Sequence, residues 1–136
     1  MSADHIPPVV QRFLRYVQID TTSDPASEST PSSERQKDLG RLLLAELRDL
    51  GLKDAEMDQF GYVFATIPAV GADPATPIVA LLAHMDTASD APGKGVKPVI
   101  HRSYDGSALR LPGNPDVVLD PAHRPALRDL PPCPQP

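Results

Sequence analysis

The chain has 136 residues, with 18 acidic and 13 basic side chains and a net charge of -5 at pH 7. This length suits one domain with its own core, and the acidic balance argues against nucleic acid or an anionic membrane as the main partner. No apolar run approaches the roughly 20 residues of a membrane-spanning helix, and no signal peptide is recognisable, so we expect a cytoplasmic protein. The single cysteine, Cys133, excludes an intrachain disulfide and a zinc site built from cysteines.

The first half of the chain predicts two helices. Apolar residues at helical spacing indicate a helix over residues 7–18, with prolines only in its opening turn. A polar connection leads to a second helix, with Ser32 as its N-cap and Gly51 as its stop. Four leucines at helical spacing mark the buried face of this second helix: Leu39, Leu43, Leu47 and Leu50.

After the second helix the apolar residues alternate, which is typical of β-strands. Residues 55–58 predict a short strand, residues 59–61 a turn and residues 62–67 a longer strand. The run 78–83, Ile-Val-Ala-Leu-Leu-Ala, is uncharged throughout and predicts a strand buried on both faces of a sheet.

The order helix, helix, strand, strand, strand is typical of an α/β fold with a mixed sheet. Prolines become frequent from residue 112, and apolar periodicity disappears there apart from a short Val-Val-Leu run. We therefore expect one domain over residues 1–111, followed by a proline-rich, irregular tail over residues 112–136.

The run 78–83 ends in His84-Met85-Asp86-Thr87. Side chains alternate along an extended chain, so His84 and Asp86 are predicted to project to the same face. A neutral imidazole is a good zinc ligand, and its second ring nitrogen normally bonds to a carboxylate that orients the ring. His84 is therefore a candidate metal ligand, and Asp86 is a candidate catalytic residue. His-x-Asp alone is a weak motif, however, and His84 as a core histidine with Asp86 as a turn residue remains an alternative.

A hydrolytic zinc site also needs further ligands and a general base, usually a glutamate. No glutamate follows Asp86, and the glutamates before it lie at positions that predict solvent exposure. From the residues alone, the chain supplies at most one zinc ligand.

Several motifs are spread along residues 5–121, and their combination is specific. Leu-Ala-His-Met-Asp-Thr-Ala-Ser-Asp at 82–90 is followed by Gly-Lys-Gly-Val-Lys-Pro at 93–98 and Tyr-Asp-Gly at 104–106, and segments 13–21 and 31–36 agree with them. Together they resemble the peptidase T family, the tripeptide aminopeptidases among the co-catalytic dizinc exopeptidases.

The resemblance implies that the chain is the N-terminal part of a zinc-exopeptidase catalytic domain. Such an enzyme removes the N-terminal residue from tripeptides with a metal-activated water, so a small peptide is the implied substrate. His84 would bind one of two zinc ions, and Asp86 would orient its ring. In the longer family members, the other ligands, the general base and a lid domain follow the matched stretch. We therefore expect this chain to be truncated, inactive alone and prone to self-association through an exposed sheet edge.

Two other functions remain open. The chain could be a non-catalytic remnant that binds or complements another chain carrying the missing ligands. It could also derive from a related dizinc dipeptidase, carboxypeptidase or deacylase, although the motifs at 93–98 and 104–106 favour the tripeptidase.

Overall fold

The computed structural model describes residues 6–73, 75–102 and 104–130. These residues form two units, 6–98 and 99–130. Cys133 and the last part of the expected tail lie outside the described residues. Within the described ranges, none of the helices has the length and apolar character needed to cross a bilayer.

Both helices predicted in the first half of the chain are confirmed, with shorter bounds. The first, α1, spans Pro8–Tyr16, and the second, α2, spans Gln36–Asp49. The N-cap prediction is wrong, because Arg35 precedes α2 and makes no side-chain capping bond. Ser32 lies one turn earlier, where its hydroxyl accepts a hydrogen bond from the Gln36 side chain at 3.1 Å.

The end of α2 is as predicted. Gly51 adopts a φ of +92°, a left-handed conformation that costs glycine little. Its amide donates to the Arg48 carbonyl at 2.9 Å, and the Leu52 amide donates to the Leu47 carbonyl at 3.1 Å. These two bonds form the Schellman motif, which satisfies carbonyls that the helix itself leaves unpaired.

The two helices contact each other through Glu46 of α2. Its carboxylate accepts hydrogen bonds from the Tyr16 hydroxyl and the Arg15 guanidinium, and Arg12 Nε lies 3.5 Å away. The Tyr16 hydrogen bond is the main reason why the pKa of Glu46 is lowered, with the two arginines adding to it. Burial and the same bond raise the pKa of Tyr16.

Two short strands form an antiparallel hairpin after α2. β1 spans Glu56–Met57 and β2 spans Val63–Phe64, with Glu56 opposite Phe64. The Asp58 carboxylate accepts hydrogen bonds from two amides of the turn, each at 2.9 Å. The predicted turn is thus confirmed, but the second strand ends at Phe64, well before residue 67.

The predicted buried strand over residues 78–83 is wrong. These residues have no regular secondary structure, and Ile78 and Leu81 are 97% and 93% exposed. A strand can satisfy its backbone only by pairing with a neighbouring strand. Within the described residues nothing pairs with this run, and the nearest pairing is a single parallel bridge between Thr22 and Thr87.

The expectation of an irregular stretch from residue 112 is wrong for its described part. β3, Leu109–Leu111, pairs antiparallel with β4, Asn114–Leu119, and α3 follows at Pro125–Arg128. The many prolines hid the hairpin in the sequence, yet Pro115 fits because both strands of a two-stranded sheet are edge strands.

The described residues contain little core. Leu39 and Ala55 are the only apolar residues among them that are classed as buried, and Thr21 and Gln36 are buried polar residues. Leu50, predicted to be buried, is 61% exposed. The described residues combine helices with two small antiparallel sheets, which is consistent with part of an α/β fold, and they do not form the mixed sheet that we expected.

Candidate functional site

The structure brings His84 and Asp86 together. His84 Nδ1 lies 3.1 Å from Asp86 Oδ1 and 2.9 Å from the Asp86 carbonyl oxygen. Both groups are acceptors, so the geometry favours the tautomer in which Nδ1 carries the proton. The His84 side chain is 84% exposed, which excludes a buried core histidine. Its Nε2 is the ring nitrogen through which it could bind a metal ion.

The described residues do not complete a metal site. No group of three or more His, Cys, Asp or Glu side chains within these ranges lies close enough to hold a metal ion. One imidazole and its orienting carboxylate fall short of the three or four protein ligands of a zinc centre. The donor set of the described residues therefore fits one ligand position, and it does not fit a catalytic zinc site.

An open groove of about 810 Å³ borders the pair. One wall comes from α2, a second from the β1–β2 hairpin, and a third from residues 81–86. The groove is lined mainly by apolar side chains, among them Leu43, Leu47, Val63 and Phe64. It thus places the exposed apolar run beside the apolar faces of the helix and the hairpin.

A backbone ladder holds the residue after Asp86. The Thr87 amide donates to the Thr21 carbonyl at 3.1 Å, and the Thr87 carbonyl accepts from the Ser23 amide at 2.9 Å and from the Ser23 hydroxyl at 3.0 Å. Thr21 is almost fully buried at this point. The connection between α1 and α2 therefore anchors the chain immediately beyond the His84–Asp86 pair.

Asp20 stabilises the same region through hydrogen bonds with Thr22. Its Oδ1 accepts hydrogen bonds from the Thr22 hydroxyl at 2.6 Å and the Thr22 amide at 3.1 Å, and its Oδ2 lies 3.2 Å from Arg35. The two Thr22 hydrogen bonds, followed by the charges of Arg35 and Lys94, lower the pKa of Asp20. The sequence predicts a polar connection here and includes Asp20 in the motif segment 13–21, but it does not predict the contact with Thr22. An Asp followed two residues later by Thr was the available signal, because such side chains bond back to the local backbone.

Comparison with known proteins first indicates a class. No protein-family model matches the chain. The curated proteins that it matches include bacterial peptidases, so the chain is similar to part of a peptidase.

Among these peptidases are peptidase T proteins of Bacillus. The chain is 45% identical over 119 residues to peptidase T of Bacillus mycoides strain KBAB4 and of Bacillus cereus strains B4264 and ATCC 14579. The match covers 88% of this chain and 29% of each relative. The chain therefore resembles peptidase T, and it spans less than a third of the length of these relatives.

Proposed function

We propose that this chain is the part of a peptidase T-like zinc aminopeptidase that supplies one metal-binding histidine, His84, and its orienting carboxylate, Asp86. The reaction of the whole enzyme would be release of the N-terminal residue from tripeptides. The observation that carries the proposal is the 3.1 Å contact between His84 Nδ1 and Asp86 Oδ1, in a chain 45% identical to peptidase T. It leaves Nε2 exposed for a metal.

The isolated chain is expected to be catalytically silent. Zinc affinity depends on the number of preorganised ligands, and the described residues offer one imidazole in this region. Purified chain with added zinc should release no amino acid from tripeptides above the blank. Turnover that survives purification and disappears in His84→Ala would show that the ligand count is wrong.

A chimera tests the proposed role of His84 directly. The matching 119 residues of a Bacillus peptidase T are replaced by those of this chain, and tripeptide hydrolysis is measured. We expect activity in the chimera and its loss in His84→Ala, because a metal ligand is removed. Asp86→Asn should lower activity by about 10- to 100-fold, as for other residues that orient metal ligands.

His101→Ala is the matched control for the chimera, because His101 is exposed and lies beyond the His-x-Asp motif. An active chimera in which His84→Ala behaves like His101→Ala would overturn the proposal. Dipeptides, C-terminally blocked peptides and N-acyl amino acids in the same assay separate a tripeptidase from a dipeptidase, carboxypeptidase or deacylase.

A second function is favoured by the exposed run 78–83 and the groove beside it. We propose that this apolar surface associates with other polypeptide, either a second copy or a chain that carries the missing ligands. Mixing the chain with the remaining part of a Bacillus peptidase T, expressed separately, tests complementation. Tripeptide hydrolysis by the mixture and by neither part alone is the expected result, and two species that stay separate and inactive would contradict it.

A further inference from the structure

The loop after the His84–Asp86 pair comes back against the ladder at Gly93. A Cβ built on Gly93 would lie less than 3.0 Å from Thr22 Oγ1, 3.1 Å from Asp20 Oδ1 and 3.3 Å from Thr87 Oγ1. Gly93 does not have a positive φ, so its backbone conformation is open to any residue. Glycine is therefore required at this position because any Cβ would clash with its neighbours, and not because of the backbone conformation.

The neighbours of Gly93 are not free to give way. Thr22 Oγ1 donates to Asp20 at 2.6 Å, and Asp20 in turn pairs with Arg35 at 3.2 Å. Thr22 and Thr87 form the parallel bridge, and the backbone bonds of Thr87 flank that bridge on both sides. A side chain at position 93 would therefore have to open the ladder or displace the loop.

Opening the ladder would release the carboxylate that orients His84. Thr87 is bonded through its amide and its carbonyl, and Asp86 directly precedes it. His84 Nδ1 in turn contacts both the side chain and the carbonyl oxygen of Asp86. The position of the imidazole thus depends on how firmly Thr87 is held.

We propose that Gly93 and Thr22 are positioning residues for the His84–Asp86 pair. The bare Cα of Gly93 lets the loop pack on the Thr22 hydroxyl, which keeps the ladder closed and the Asp86 carboxylate at His84 Nδ1. The inference rests on the proposed function, because it concerns the pair that supplies the zinc ligand there.

The test reads the His84 tautomer in the full 136-residue chain. Histidine-selective ¹³C and ¹⁵N labelling and solid-state carbon–nitrogen correlation spectra, recorded at one fixed, mildly alkaline pH, distinguish Nδ1–H from Nε2–H imidazole whether or not the chain is monomeric. His84→Ala assigns the signal. Wild-type chain should show the Nδ1–H tautomer at His84, and Gly93→Ala should convert it to a mixture with Nε2–H.

Gly113→Ala is the matched control, because its new Cβ meets no atom within 4 Å and Gly113 has no positive φ. It should leave the His84 signal unchanged. Thr22→Ser keeps the hydroxyl and should preserve the tautomer, whereas Thr22→Val keeps the size, removes the hydroxyl and should lose it. Retained helical circular dichroism shows that a variant is folded. If Gly93→Ala does not fold, the Thr22 pair carries the test.

Wild-type tautomer in both Gly93→Ala and Thr22→Val would overturn the inference. In the active chimera, Gly93→Ala should also lower kcat/KM by about 10-fold, the lower end of the effect of residues that orient metal ligands. Failure of the proposed function is seen separately, as an active chimera that tolerates His84→Ala while the tautomer result in the isolated chain still holds.

Discussion

Two neighbouring regions of the 6–98 unit behave in opposite ways. The segment from α2 to β2 forms the predicted helix, turn and two strands, although all of these elements except the turn are shorter than predicted. The run 78–83 has the strongest strand pattern in the sequence and forms no strand. Helix and hairpin bonds join residues that are close along the chain, whereas an inner strand depends on distant partners. A strand pattern therefore predicts structure only where the partner strands are present.

The largest expected effect is on the assembly state. Leu81 and Leu82 are 93% and 90% exposed, and an exposed apolar run with unpaired backbone promotes association. The wild-type chain should elute as oligomer or soluble aggregate in size-exclusion chromatography with light scattering. Leu81→Lys with Leu82→Lys should shift it towards monomer, because charged side chains oppose strand pairing.

The control for that change places the same charges elsewhere. Val117→Lys with Val118→Lys alters the β4 strand, which is already paired with β3. This control pair should shift the elution towards monomer less than Leu81→Lys with Leu82→Lys does. A wild-type chain that is monomeric at all concentrations, with a sharp melting transition, would contradict the prediction that the run 78–83 promotes association.

The second-largest effect should come from the contact between α1 and α2, which stabilises α1 against opening. Glu46→Ala removes the acceptor of the Tyr16 and Arg15 bonds. Hydrogen bonds to charged groups contribute about 1.5–3 kcal/mol, so the free energy of opening α1 should fall by about 2 kcal/mol. Hydrogen exchange of the α1 amides measures this as a roughly 30-fold loss of protection.

Asp38→Ala provides the matched carboxylate on the same helix. Asp38 pairs with Arg41 at 2.5 Å, and both side chains are largely exposed. Exposed pairs of this kind contribute about 0.3–0.5 kcal/mol, so protection of α1 should barely change. Equal effects of the two substitutions would show that Glu46 does not join the helices.

The contact of Glu46 with Tyr16 should make the stability of α1 depend on pH at both acid and alkaline pH. The pKa of Glu46 is lowered on folding, so its contribution is complete above its ordinary value of 4.5 and is lost as the pH falls. The pKa of Tyr16 is raised, so its contribution is complete below 10.0 and is lost as the pH rises. Glu46→Gln should flatten the acid limb of an exchange-based pH profile, and Tyr16→Phe the alkaline limb. An unchanged profile in both variants would contradict this.

The smallest effect concerns the stop of α2. Gly51→Ala places a Cβ at a φ of +92° without any steric contact within 4 Å, so only backbone strain is added. The expected cost is about 1 kcal/mol, visible as a lower thermal midpoint by circular dichroism. Gly113→Ala, where φ is not positive, should leave the midpoint in place, and a similar shift in both would argue against the Schellman stop.

The candidate site was partly predictable. Alternation along an extended chain predicted that His84 and Asp86 share a face, and their side chains are in contact. The ladder at Thr87 and the close approach of Gly93 to Thr22 and Asp20 were not predictable, because they join residues 64 to 73 positions apart.

Local sequence patterns were enough to predict the two helices α1 and α2, the end of α2 at Gly51, the β1–β2 turn and the pairing of His84 with Asp86. All of these depend on residues within a few turns of one another, where local geometry decides the hydrogen bonds. The exposure of the run 78–83 and the anchoring of Thr87 by the connection between the helices became visible only in the folded chain. Those outcomes depend on which distant backbone groups are available as partners, and no local pattern carries that information.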